Sequence, residues 1–328
     1  MAPTCASDEQ MTLQTSFLLR SNIVLMTFIA ICTFFLSYKA LIVLKSYQIF
    51  HPSTKLLLIT SLVFVNFHEI VFMFVQVVTF YRSITLSNEP CKIMRSTYEC
   101  KYQNQMIIVG IAGMIYVQSA LSLDRLIATI FPLHYSKTKY SPGIVLSILV
   151  VISSILSPII IVWNDPYVDT VPNCFFFPQY SASRANTFLI ICNVVIIVCI
   201  FLNILLIVIN KKLEVRTRFF VEKRYQKRET LVSTRVVCYI AVAQFLGLIT
   251  YSSLVLTLRL HQKFIPVSMY HNIVWWAYTV PFAAVSLPAL LIYRIKRIGI
   301  VRRKTINQIT TRFETQEEHM KHLKELWS

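Results

Sequence analysis

Two places in this 328-residue sequence set an acid beside a base within or at the end of a long apolar run: His68-Glu69 and Asp124-Arg125. An ionisable side chain at membrane depth is costly, so it faces the interior of a helix bundle and marks a site with a job. His68-Glu69 invites a zinc-protease reading, in which two histidines one helical turn apart hold the metal and the glutamate acts as base. The second histidine is replaced by Phe72, so the ligand pair is missing. No Gly-rich phosphate loop and no Gly-x-Ser-x-Gly elbow occurs either, and the reading is of a protein that is not an enzyme, with no metal and no cofactor. That leaves Glu69 protonated, paired with His68 or a neighbouring helix, or recognising a cationic or hydrogen-bonding ligand. Asp124 and Arg125 offer different chemistry: the carboxylate neutralises the guanidinium and spares an unpaired ion near lipid, and release of that contact would free the cation. The bland alternative is that the pair marks a helix end.

The elements that must position these pairs are membrane helices. Hydrophobic residues make up 55% of the chain and charged residues 14%. Apolar runs recur near 22–44, 57–80, 104–126, 143–163, 187–209, 236–258 and 270–293. Each is long enough to cross about 30 Å of hydrocarbon as a helix. The fold class is therefore an all-α membrane protein with seven transmembrane helices: a short N-terminus over 1–21, a seven-helix domain over 22–293 and a tail over 294–328. The second and seventh spans are the least clean, through Asn66, His68 and Glu69 in one and Pro281 and Pro288 in the other.

The formal charge of +17 suggests nucleic acid until its distribution is considered. Eight lysines and arginines fall on the side of the N-terminus and twenty-three on the other, while Lys39 near the end of the first span can snorkel. The positive-inside rule then puts the N-terminus outside and the C-terminus in the cytoplasm. Attraction to anionic inner-leaflet lipid accounts for the basic charge, and no nucleic-acid partner is expected. Residues 1–21 lack an apolar core and contain Asp8 and Glu9, so no cleavable signal peptide is read there. Cys5, Cys91, Cys100 and Cys174 fall outside, in the oxidising compartment, and four cysteines permit three pairings. No Asn-x-Ser/Thr sequon is present.

Seven spans with an outside N-terminus and a third span closing in Asp-Arg-x-x-Ala-x-x-x-Pro-Leu-x-Tyr resemble a rhodopsin-type G-protein-coupled receptor. The motif reads Asp124, Arg125, Ala128, Pro132, Leu133 and Tyr135. The short N-terminus with Cys5-Ala6-Ser7-Asp8, the run from Leu121 to Thr129 and the aromatic, glycine-poor character are similar, over most of the chain, to the nematode serpentine chemoreceptors of class alpha. The resemblance implies a chemosensory receptor in the plasma membrane of a sensory neuron, with an extracellular small-molecule ligand. It implies a heterotrimeric G protein as cytoplasmic partner, with Arg125 freed on activation and Ala128, Pro132, Leu133, His134 and Tyr135 on the docking side. It also implies a disulfide from Cys100, 25 residues before Arg125, to Cys174 in the second outer loop, leaving Cys5 to join Cys91.

Departures from the rhodopsin pattern remove pieces of inherited mechanism. The sixth span lacks a proline, and around Pro288 the Asn-Pro-x-x-Tyr switch is degraded, with Leu287 before it and the tyrosine displaced to Tyr293. Asn66 and Met114 stand where a sodium site would need other groups. The absence of lysine from 268–293 excludes a retinal Schiff base. A transporter or ligand-gated channel is the alternative from another class, but related halves with matched interruptions are not evident, and the chain has only five glycines. A receptor for an internal transmitter or peptide would share the mechanism.

By depth alone, Gln76, Gln105, Asn193, Tyr251, His271, Trp275, Trp276 and Tyr278 join Glu69 as ligand-pocket candidates in the outer halves of the spans. Aromatics at such depth also serve as interfacial anchors. The basic stretch over 210–235 suits extensions of the fifth and sixth helices, as a solvated charge run or a G-protein contact. Ile295, Ile298 and Val301 among Arg297, Arg302, Arg303 and Lys304 suit a short helix lying on the membrane, with Gly299 against it.

Overall fold

The structure is a computed structural model and describes residues 5–47, 49–138, 140–168, 170–176, 179–216, 221–311, 320 and 325. In chain order the helices are α1 (Asp8–Thr15), α2 (Phe17–Ser46), α3 (Pro52–Thr85), α4 (Pro90–Ile93), α5 (Thr97–Ile130), α6 (Pro132–Lys137), α7 (Ser141–Ile161), α8 (Ala182–Arg216), α9 (Val221–Leu260), α10 (Val267–Ala277) and α11 (Val280–Thr311). Two short strands, β1 (Arg95–Ser96) and β2 (Thr170–Val171), pair antiparallel. Among the described residues, seven helical stretches are long and apolar enough to span a membrane, and all seven predicted spans fall on them. Most helices outrun the apolar cores that predict them, because caps rather than hydropathy set the ends. Ser16 accepts from Leu19 N, Ser96 accepts from Tyr98 N, and Pro52 opens α3 where its missing N–H costs nothing.

The third span, α5, is the axis of the bundle and packs on α3, α7, α8 and α9. A ring of neighbours closes around it, with α11 sealing the gap between α2 and α9. The first, fourth and fifth spans expose most of their apolar side chains, as lipid-facing helices must.

Three features depart from the sequence expectation. The seventh span is not one helix over 270–293: it breaks after Ala277 and restarts at Val280. Thr279 Oγ1 donates to Gly247 O of α9 at 2.9 Å, so a tertiary hydrogen bond competes with the helical ladder there, and Pro281 suits the first turn of the restarted helix. The segment after Tyr293 is not a separate helix on the membrane, since α11 runs unbroken to Thr311. Gly299 does not interrupt it but lets the helix approach Tyr47, whose ring would lie 2.9 Å from an added Cβ. The N-terminal segment also contains a helix, α1, held by a capping box in which Ser7 and Gln10 bond each other's backbone N–H. That Ser-x-x-Gln signature is visible in the sequence.

The face carrying the N-terminus is stapled. Cys5 bonds Cys91 and Cys100 bonds Cys174. The β1–β2 pair ties the loop before α8 to the start of α5, and Ser83 Oγ donates to Gln14 O at 2.6 Å to hold α1 on α3. Arg218, Phe219 and Phe220 and most of the tail beyond Thr311 lie outside the described residues, as do the side chains of Leu133 and of 214–229.

Candidate functional site

At the face opposite the N-terminus, the α5 motif is buried in a closed polar cluster. Asp124 is 0% and Arg125 2% exposed, and Arg125 Nη2 donates to Asp124 Oδ2 at 2.6 Å. The carboxylate also accepts from Ser53 Oγ at 2.6 Å, Thr54 Oγ1 at 2.9 Å and Tyr135 OH at 3.0 Å. Arg125 spends its remaining donors on Tyr135 OH at 2.8 Å, on Thr54 Oγ1, and on Ser233 Oγ of α9 at 3.0 Å. Each element contributes for a local reason. Ser53 and Thr54 occupy the open first turn of α3, where hydroxyls are at home, and Pro132 restarts the chain as α6 to bring Tyr135 back under α5. Gly143 in the first turn of α7 makes room: an added Cβ would sit 2.7 Å from Ser53 O. A buried ion pair is no net source of stability by itself, but one with its donors and acceptors satisfied fixes a single arrangement. His51, at the N-terminus of α3, packs its ring 4.3 Å from that of Tyr135. Its pKa is held below the ordinary 6.5, first by burial and then by the Arg125 charge, with Asp124 pulling the other way.

Buried amides continue the polar chain up the bundle. Asn210 donates to Thr129 at 2.9 Å and Asn203 to Ser122 at 2.7 Å, joining α8 to α5. Gln118 reaches Ser61 of α3 at 3.3 Å and bonds Gln244 of α9.

Nearer the N-terminal face, His68 sits between Glu69 and Tyr278. Its Nδ1 lies 3.0 Å from Glu69 Oε1 and its Nε2 lies 2.8 Å from Tyr278 OH, at the break in the seventh span. Glu69 and His68 are both 0% exposed, and Glu69 Oε2 has no partner among the described residues. Around Tyr278 gather Phe72, Tyr251 and Phe175, with centroids 4.7, 5.1 and 5.3 Å away. Phe175 meets Trp275 edge-on at 4.6 Å, and Phe176 meets His271 at 5.3 Å. These two phenylalanines follow Cys174, and their loop is held inward by Asn104 Nδ2, which donates to Cys174 O at 3.2 Å and Phe176 O at 2.9 Å.

Comparison with known proteins now settles the family. The family model described as serpentine type 7TM GPCR chemoreceptor Sra matches residues 1–327. The chain belongs to the Sra family. It is 62% identical over 323 residues to serpentine receptor class alpha-10 of Caenorhabditis briggsae, covering 98% of this chain and 97% of that one. It is 60% identical over 326 residues to serpentine receptor class alpha-10 of Caenorhabditis elegans, with 99% and 97% covered. The chain is thus a multi-pass membrane protein of a seven-helix chemoreceptor family of G-protein-coupled type.

In this Sra receptor the sequence-predicted residues divide. Asp124, Arg125 and Tyr135 meet in one cluster, with Ala128 buried on the next turn, whereas Pro132 and His134 are exposed. Among the pocket candidates, Tyr251, His271, Trp275 and Tyr278 assemble around Phe175 and Phe176, and Glu69 joins through His68. Gln76 is buried one turn beyond Phe72, and its Oε1 has no partner among the described residues. Trp276 does not join them and is 44% exposed on the outside of α10. Asn193 instead accepts from Ser252 Oγ. Gln105 lines a separate crevice of about 290 Å³ with Lys101, Trp163 and Tyr167. Depth in a span carries no rotation, and a helix facing lipid on one side and an apolar core on the other shows little amphipathic contrast to supply it. Ser53, Thr54 and Ser233 carry no sequence signal as partners of Arg125, because hydroxyls are ordinary in membrane helices.

Proposed function

We propose that the chain is a plasma-membrane chemosensory receptor, oriented with its N-terminus outside, that binds an extracellular small molecule and activates a heterotrimeric G protein. The observation that carries the reading is the buried Asp124–Arg125 pair bridged to three other elements. The guanidinium is tied to α3 through Thr54, to α6 through Tyr135 and to α9 through Ser233. Such a cluster is a latch with two states: closed, it holds the third and sixth spans together; opened, it releases a cation at the face where a G-protein helix would insert. The motif shared with rhodopsin-type receptors supports the same reading. Signalling follows if a ligand at the opposite face binds the open bundle better than the closed one. Ala128, Pro132, Leu133 and His134 serve the docking surface, and the exposure of Pro132 and His134 suits that use.

The test is a cell-based G-protein dissociation assay, with wild type and Arg125→Ala compared at matched surface level. Basal or ligand-driven dissociation by wild type, lost in Arg125→Ala, is the expected result. Surface protein of both forms that never engages a G protein, and instead passes ionic current or solute, would overturn the receptor mechanism in favour of a channel or transporter.

A further inference from the structure

The aromatic cluster beneath the Cys100–Cys174 bond has an unusual composition. Its centre is filled by the two rings of Phe175 and Phe176, which belong to a loop rather than to any of the spans that surround them. Polar atoms next to these rings are left without partners among the described residues although buried: Trp275 Nε1, on a side chain 2% exposed, and His271 Nδ1. On the α3 side, Gln76 Oε1 and Glu69 Oε2 are in the same condition. A buried indole N–H normally finds an acceptor, and a buried carboxyl oxygen left unbonded is destabilising. Phenylalanine rings supply shape and stacking but cannot supply hydrogen bonds. The site is therefore filled in volume and unfilled in polarity.

We propose that Phe175 and Phe176 are a tethered stand-in for the ligand, and that the receptor takes a flat aromatic molecule bearing both a hydrogen-bond acceptor and an O–H or N–H donor. The acceptor meets Trp275 N–H, the donor meets the oxygens on the α3 side, and the ring takes the place of the phenylalanines against Trp275 and Tyr278. Entry requires the loop to withdraw. The Cys174 anchor and the Asn104 hydrogen bonds keep it close enough to return. This inference rests on the reading of a ligand site at this end of the bundle, but its test does not depend on coupling.

The test is thermal unfolding of the full chain in lipid nanodiscs, comparing wild type with the Phe175→Ala/Phe176→Ala double variant. Removal of both rings lowers Tm by about 5 °C or more through the cavity it leaves. Millimolar 4-hydroxybenzaldehyde, which carries one donor and one acceptor, recovers at least half of that loss, and toluene, which has neither, recovers less. Wild type, still holding its own rings, needs roughly tenfold more of the compound for a comparable shift. Trp275→Phe in the double background narrows the difference between the two compounds, since only the contact to the α3 side remains. Should the double variant not be recovered folded, Phe176→Ala alone serves the same comparison. The proposal fails if neither compound restores Tm, or if toluene matches 4-hydroxybenzaldehyde while Trp275 is intact; the rings would then be core packing only. A receptor that never couples to a G protein leaves this outcome unchanged, so the two failures are distinguishable.

Discussion

Across the bundle, among the described residues, Arg125 meets a serine of α9. Ser233 Oγ is its contact with α9, so this cluster's own link from the third span to the sixth is a single hydrogen bond to a charged donor, separate from the Gln118–Gln244 bond higher up. Such bonds contribute about 1.5–3 kcal/mol, and part of that is recovered from water once the latch opens. Ser233→Ala should therefore raise basal G-protein dissociation by roughly three- to tenfold at matched surface level. An unchanged basal signal in that assay would mean the bond does not favour the resting state. His51 gives the cluster a pH dependence. Its pKa lies below 6.5 in the folded chain, so the unfolded chain takes up the proton first and the folded state is favoured fully above pH 6.5. That advantage is lost as the pH falls from 6.5 towards the folded value, where protonation sets a second cation beside Arg125. The fall in Tm of the nanodisc-embedded protein between about pH 7 and pH 5 should be shallower for His51→Gln than for wild type. The acid–base pair itself is legible in the sequence because charge is rare at that depth. Its partners are not, because a serine near position 53 or 233 reads the same whether it bonds a guanidinium or its own helix.

Helices approach one another only as closely as their residues allow, and two glycines show how differently that constraint acts. At Gly143 an added Cβ would meet the backbone of Ser53, at 2.7 Å from O and 2.9 Å from Cα, and neither atom can rotate away. At Gly299 it would meet only the ring edge of Tyr47, at 2.9 Å, which can. Gly143→Ala should therefore push α7 off α3, disturb the Ser53–Asp124 bond and cost about 1–3 kcal/mol. Gly299→Ala should be neutral or stabilising by up to about 1 kcal/mol, since alanine favours the helix. Thermal unfolding of the two variants checks the contrast, and equal losses would count against it. The existence of each span is legible because seven apolar runs of sufficient length permit little else. The break at Tyr278 and Thr279 is not, because Gly247 O and His68, far away in sequence, stabilise it. The passage of α11 through 294–304 was obscured by its basic residues, which mark the end of the apolar layer without ending a helix.

Two signals of different origin bear on how the whole molecule lies in its membrane. Basic side chains are distributed twenty-three to eight in favour of the face that holds Arg125, and charge of this kind is retained on the cytoplasmic side during insertion. The described disulfides, Cys5–Cys91 and Cys100–Cys174, both lie at the other face, and disulfides persist where the compartment is oxidising. Charge and redox chemistry are independent, yet both support the proposed orientation, with N-terminus outside and the Arg125 cluster towards the cytoplasm. An epitope placed before Met1 should then stain on intact cells, while one placed after Ser328 should stain only after permeabilisation. A reductant that cannot cross the membrane, applied to intact cells, should lower the Tm of the receptor subsequently extracted, because the exposed Cys5–Cys91 bond is within its reach, although Cys100–Cys174 is buried, and loss of a native disulfide typically costs about 2–5 kcal/mol. Staining in the reverse order, with the bonds untouched from outside, would set the latch on the wrong side of the membrane for a cytoplasmic G protein and remove the physical basis for coupling through Arg125.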